Sequence, residues 1–219
     1  MIVLGLTGSI GMGKSTAARM LQAMGAPVCD SDAVVHELLG RGGRAVPAID
    51  ATFPGVVIDG AVSRPALGAA VFRDPNALKR LEAILHPMVQ AAQRDFLARA
   101  ARRGARIAVL DIPLLFETHG ERRVDATIVV SAPFTVQRAR VLARPGMTAE
   151  KFAGILARQM PDAEKRRRAD YVVPTGAGRL VTRRTLQGIV RAIRQHRTVR
   201  RPGRQWPPRG YQPGQIHHA

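Results

Sequence analysis

Short apolar runs alternate with stretches of helical periodicity along most of this chain. Residues 2–6, 27–29, 107–110, 126–130 and 171–173 are almost uninterrupted apolar runs, the pattern of strands buried on both faces of a parallel sheet. Between them, apolar positions recurring every three to four residues predict helices over 14–24, 33–39, 76–103 and 180–196, with Gly25 and Gly104 as stops after the first and third. Strand and helix in alternation imply βαβ units with right-handed crossovers, hence an α/β fold of three α/β/α layers around a mostly parallel sheet. Such a sheet gathers ligands at the carboxyl ends of its strands. Asp30, Ser31, Asp32, Asp111 and Ser131 all fall there.

Two segments exceed what a minimal α/β domain needs. Residues 60–103 read as mostly helical, and Leu67, Val71, Leu78, Leu81, Ile84, Leu85 and Val89 can form a small core of their own, so this is a candidate acceptor-binding insertion. Residues 133–158 carry Arg138, Arg140, Arg144 and Arg158, and Arg144-Pro145-Gly146 marks a turn between two helices, the layout of a mobile lid. A length of 219 residues suits one such domain, placed over 1–196. Residues 197–219 are rich in Pro, Gly and Arg with almost nothing aliphatic to bury, and are expected to be a disordered tail.

A formal charge of +18 ordinarily points to nucleic acid, but its placement weakens that reading. Residues 171–219 hold ten Arg and no Lys, Asp or Glu, so +10 of the +18 sits in the last quarter and +8 in the first 170 residues. Trp206 and Tyr211 are thin material for base stacking. No specific nucleic-acid partner is expected. The single cysteine, Cys29, excludes an internal disulfide framework and suits a reducing compartment. No apolar stretch is long enough to span a membrane and Met1 leads directly into the first strand, so a cytoplasmic protein without a membrane partner is expected.

The chemistry is concentrated in Gly8-Ser9-Ile10-Gly11-Met12-Gly13-Lys14-Ser15, which follows an apolar strand and opens a helix. That context is what the phosphate-binding pattern G-x-x-x-x-G-K-[ST] demands. Its glycines let the backbone wrap a polyphosphate so that successive N–H groups, from Gly11 to Thr16, point at the anion. Lys14 is then the cation for the β- and γ-phosphates, and Ser15 offers a hydroxyl to Mg²⁺, a hard ion that takes oxygen ligands and keeps most of its waters.

Phosphoryl transfer also needs a group to take the acceptor's proton and charge to steady the moving phosphate. Asp32, just past the second strand, is the candidate base; the competing role for Ser31 or Asp32 is capping a helix that begins near Ala33. Asp30 reads as structural. Asp111, closing the strand at 107–110, stands where a P-loop protein keeps a carboxylate for Mg²⁺. Of the lid arginines, Arg140 is the one assigned to the phosphates. His86 precedes Pro87, which biases it away from helix and sets how the chain turns.

Taken in order, Leu6 to Thr16 (LTGSIGMGKST), Asp30-Ser31-Asp32, Arg64 ahead of Leu67, Leu85-His86-Pro87, Pro113-Leu114-Leu115-Phe116-Glu117, Gln137 to Arg144, Arg158-Gln159 and Ala169-Asp170 resemble the dephospho-CoA kinase family. The likeness covers about 2–196, and the ordered combination is far more specific than the P-loop alone. It implies ATP-dependent phosphorylation of the ribose 3′-hydroxyl of dephospho-coenzyme A, giving coenzyme A and ADP, with Mg²⁺ as cofactor. It implies ATP phosphates on Gly8, Gly11, Met12, Gly13, Lys14, Ser15 and Thr16, and catalysis by Lys14, Asp32 and Arg140. It further implies acceptor contacts from Asp32, Arg64, His86, Leu114, Leu115 and Glu117, and metal contacts from Ser15 and Asp111. Thr175 replaces an Asn usual in the family after the last strand. Another small-molecule kinase, for a nucleoside, nucleotide or shikimate, would share the P-loop and lid, and a nucleic-acid-associated P-loop ATPase is the other alternative. No [NT]-K-x-D guanine-reading motif is present.

Overall fold

A computed structural model describes residues 1–72 and 74–195, so the expected tail at 197–219, and His196 at the end of the last expected helix, lie outside the described residues. The chain forms two compact units, one of Met1–Val28 with the described chain from Ala100 onward, the other Cys29–Arg99.

In the first unit, strands β1 (Ile2–Thr7), β5 (Ile107–Asp111), β6 (Ala126–Ser131) and β7 (Tyr171–Pro174) make a sheet in the order β5-β1-β6-β7, and β2 (Val28–Asp30), the fifth strand, begins at this unit's last residue before the division, Val28. β1 pairs in parallel with β5 and β6, and β6 with β7. Strand residues alternate between faces. Leu4, Leu6, Ile107, Val109, Ile128, Val130 and Val173 face one way into a core closed by Ala17 and Leu21 of α1 (Lys14–Ala23) and by α9 (Arg179–Arg194). Helix α9 contributes Leu186, Ile189, Val190 and Ile193, an i, i+3, i+4, i+7 stripe, each side chain worth about 1.5–3 kcal/mol on burial. On the opposite face Val129 meets Phe116 and Ala169. The α/β class and parallel sheet expected from the apolar runs are therefore present.

Helix α1 ends in a Schellman motif: Gly25 N–H bonds the Gln22 carbonyl and Ala26 N–H that of Leu21, with Gly25 at φ 78°. The chain can then turn at once into β2. The lid segment folds as α6 (Phe134–Leu142) and α7 (Ala149–Ala157), followed by α8 (Asp162–Arg168), a short helix not anticipated from the pattern.

The second unit holds α2 (Ser31–Leu39), α3 (Val46–Thr52), the hairpin β3 (Val57–Ile58) and β4 (Ala61–Val62), α4 (Arg64–Phe72) and most of α5 (Pro75–Arg102). Leu67 and Leu81 enter its core as expected, with Val71, Ile84, Leu85 and Val89 packed on it. Leu78 does not: it is 44% exposed. The rest of that core comes from upstream residues, among them Leu38, Leu39, Ile49, Phe53, Val56 and Val62. The expectation that Pro87 turns the chain at His86 is also corrected, because α5 runs straight through both. A helix-interior proline costs about 3 kcal/mol, and here the apolar face of Leu81, Ile84, Leu85, Met88 and Val89 packed on the unit's core opposes that cost.

Candidate active site

The P-loop leaves β1 through Thr7, whose hydroxyl donates to the Pro113 carbonyl at 2.9 Å. A Cβ at Gly8 would come within 2.8 Å of the Val130 carbonyl oxygen, so only glycine fits. Gly11 and Gly13 take φ of 76° and 85°, left-handed conformations that a side chain would strain. Gly13 is the N-cap of α1 with no side-chain cap. No N-cap side chain therefore takes the first N–H groups of that helix, where Thr16 N–H donates to the Gly13 carbonyl at 3.1 Å. Lys14 Nζ lies 2.6 Å from Asp111 Oδ1. The β1–β5 register explains the pairing, since Leu6 sits opposite Asp111, and the carboxylate, 3% exposed, requires a cation beside it. Asp111 thus engages Lys14 directly, while Ser15 is exposed.

The lid's base is tied to the same loop. Gln137 Nε2 donates to the Ile10 carbonyl at 2.8 Å, and Ile10 N–H donates to Gln159 Oε1 at 3.1 Å. Arg140 donates to the Thr175 carbonyl at 2.7 Å, and Thr175 Oγ1 donates to the Met12 carbonyl at 2.7 Å. Arg138 and Arg144 are exposed. Phe134 and Phe152, with ring centroids 6.2 Å apart, stack α6 on α7.

The segment after β5 behaves differently from expectation. Leu115 is fully buried, its side chain packed against Gly5 and not presented to solvent. Glu117 is occupied internally: Oε1 lies 2.8 Å from Lys165 Nζ of α8 and accepts the Met160 N–H at 2.8 Å. Lys165 has no exposed surface, which only such pairing makes tolerable. Leu114 alone of the three remains open, 40% exposed.

In the second unit, Asp30, not Ser31 or Asp32, caps α2, its Oδ1 accepting the N–H groups of Asp32 and Ala33 at 2.9 and 3.2 Å. Ser31 is buried and its Oγ accepts from Gln93 at 2.9 Å. Asp32 stands exposed in the helix's first turn. One turn on, His36 Nδ1 lies 2.5 Å from the Arg64 guanidinium. His86 is exposed on α5, and among the described residues no hydrogen bond joins it to Asp32 or Arg64. His36, Lys165, Thr175 and the two glutamines were not assigned roles by sequence reasoning. Gln137 and Gln159 carried a signal, as members of motifs, but only the folded backbone shows what they hold. Among the described residues no three His, Cys, Asp or Glu side chains cluster as a metal site, and no helix is long and apolar enough to cross a membrane.

These features were compared with known proteins. A family model described as dephospho-CoA kinase matches residues 2–179. A dephospho-CoA kinase of Paramagnetospirillum magneticum is 68% identical over 166 residues, 76% of this chain and 78% of that one. One from Mesorhizobium japonicum is 58% identical over 197 residues, 90% of this chain and 99% of that one. Among solved structures, a Thermus thermophilus protein superposes with a TM-score of 0.79 at 38% identity, over 87% of this chain and 96% of its own. The dephospho-CoA kinase of Campylobacter jejuni gives a TM-score of 0.66 at 23% identity over 89% and 98%, a likeness of fold.

Proposed function

The chain belongs to the dephospho-CoA kinase family, and we propose that it performs that family's reaction with Lys14, Asp32 and Arg140 as the working groups. It is a phosphotransferase: ATP gives its γ-phosphoryl to the ribose 3′-hydroxyl of dephospho-coenzyme A, the last step of coenzyme A synthesis, in the cytoplasm. One kinase domain over 1–196 carries the reaction.

The uncapped N-terminus of α1 and the Gly8–Ser15 backbone bind the triphosphate, and Lys14, held in place by Asp111, meets its outer phosphates. The donors fit a hard divalent cation, being oxygens only: the exposed Ser15 hydroxyl and the Asp111 carboxylate would hold it. Mg²⁺, when bound, neutralises phosphate charge. Arg140 exchanges its Thr175 carbonyl for phosphate oxygens as the lid closes, offsetting charge that develops in the transition state. Arg64, His86 and Leu114 contact dephospho-coenzyme A. Leu115 and Glu117 act from beneath as support.

Asp32 takes the proton of the attacking hydroxyl. The observation that carries this role is the division of labour at the start of α2, where Asp30 takes the N–H groups of Asp32 and Ala33 and the Asp32 carboxylate is left exposed. An ADP-release assay tests it. With dephospho-coenzyme A as acceptor, Asp32→Asn is expected to lower kcat by about 10²-fold or more while ATP affinity holds. Retained turnover would reduce Asp32 to a bystander, and equal wild-type turnover with AMP or shikimate would overturn the acceptor.

A further inference from the structure

Both ends of the lid grip one residue of the P-loop, through the two peptide groups that flank its Cα. Gln137, in the first helix of the lid, donates to the Ile10 carbonyl; Gln159, just past its last helix, accepts the Ile10 N–H. The polarity of each contact is dictated by the backbone, which can only donate at N–H and only accept at C=O. The neighbouring loop residues are held too, Gly11 by α6 and Met12 by residues just before α6 and just after β7. A Cβ on Gly11 would lie 2.5 Å from Val141 Cγ2 and 3.1 Å from the Gln137 carbonyl, so the loop packs directly on α6. Met12 accepts from Thr175 at its carbonyl and from Ala132 N–H at its sulfur.

Gln159 is itself fixed from behind. Its neighbour Met160 donates its N–H to Glu117, the carboxylate that also pairs with buried Lys165. A cavity of about 950 Å³ borders this arrangement, lined by Ser9, Phe134, Gln137, Leu156 and Gln159 among others, which leaves the lid's base room to shift.

We propose that Gln137 and Gln159 are positioning residues for phosphoryl transfer: by holding Ile10 through both its N–H and its carbonyl, they set the P-loop's conformation and the placement of both lid bases as one unit. Filling the loop with triphosphate then biases the lid, and a displaced lid loosens the loop. This rests on the reading that ATP occupies the P-loop, but not on the identity of the base or the acceptor.

The test uses one substitution twice. Gln→Glu at either position adds the same charge with almost the same shape, yet Gln159→Glu keeps an acceptor for Ile10 N–H, while Gln137→Glu has no donor for the Ile10 carbonyl and opposes it with a second acceptor. Gln137→Leu and Gln159→Leu remove each contact without charge. The expected pattern for ATP affinity, measured without acceptor, is a loss of about 10-fold in both Leu variants, recovery in Gln159→Glu, and none in Gln137→Glu. KM for ATP should follow the same order, with KM for dephospho-coenzyme A unchanged. Melting without nucleotide should rank the two Glu variants the same way, a readout that survives any failure of the assigned chemistry. Two Glu variants that bind ATP equally, or a reversed ranking, would overturn the proposal, as would Leu variants that alter KM for the acceptor but not for ATP.

Discussion

In the unit that carries the P-loop, Lys14, Arg140 and the Ile10 backbone are already partnered, whereas in residues 29–99 Asp32 and His86 stand exposed. Lys14 rests on Asp111, Arg140 on Thr175, and Ile10 between two glutamines. Asp32 and His86 face solvent, and Arg64 lies against an exposed histidine. The difference follows from the two chemistries. A triphosphate must be met by donors already aimed at it, because reorganising them during reaction would cost transition-state stabilisation. The unit of residues 29–99 draws its order from an apolar core, and its exposed charges suit the acceptor-binding role proposed for it.

The contrast predicts that function and stability are coupled in one unit and separable in the other. Lys14→Ala should abolish most ATP binding and turnover, and should also destabilise the fold by about 2–3 kcal/mol, because the Asp111 carboxylate is then buried without its cation. Asp32→Asn should cost a comparable factor in kcat with no measurable change in melting. Denaturant unfolding of both variants beside their kinetics checks the pairing, and a destabilised Asp32→Asn protein would break the comparison.

Glu117 and Lys165 sharpen it without touching substrate. Lys165→Met leaves a buried carboxylate and should cost about 3 kcal/mol. The double variant Glu117→Gln with Lys165→Met should recover part of that loss, as paired removal of buried charges commonly does. Equal destabilisation of single and double variants would show that the charge left on Glu117 is not the source of the loss.

How much of this was legible in the sequence depends on whether a residue acts through local or distant partners. The P-loop could be read because its glycines, lysine and serine are contiguous, and the parallel sheet because buried strands are apolar throughout. Asp30 was read as structural, and its capping role is local. The hairpin turn at Asp59-Gly60, with φ of 50° and 75°, had a signal in its Asp-Gly pair that its very short strands hid. Leu115 and Glu117 could not be placed from a motif: a leucine and a glutamate in a resemblance look like ligand contacts until Leu115 packs on Gly5 and Glu117 pairs with Lys165 of α8. Asp170 belongs to the same class, its carboxylate accepting both the N–H and the hydroxyl of Thr127 at 2.8 Å, a brace at the start of β7.

A smaller effect isolates the cap on which the role of Asp32 depends. Asp30→Ala removes the acceptor for two N–H groups and should cost about 1 kcal/mol in unfolding free energy. If capping and chemistry are truly divided, kcat should fall far less than in Asp32→Asn. A kinetic loss as large as that of Asp32→Asn would mean that the start of α2 works as one unit in catalysis.

The smallest expected effect concerns the core of the P-loop unit at alkaline pH. Burial, and secondarily the Asp170 carboxylate beside it, raise the Tyr171 phenol above its ordinary 10.0. A raised folded pKa means that the native state holds this proton where the unfolded chain releases it. The contribution is therefore complete below the unfolded value and is lost as pH climbs through the folded one. Tyr171→Phe cannot ionise, so the gap between the two proteins should be constant up to about pH 9 and then shift in favour of the variant toward pH ~11. Melting temperatures of both across that range provide the check. Parallel curves would show that unfolding elsewhere in the chain, and not the sheet around β7, governs alkaline loss of structure.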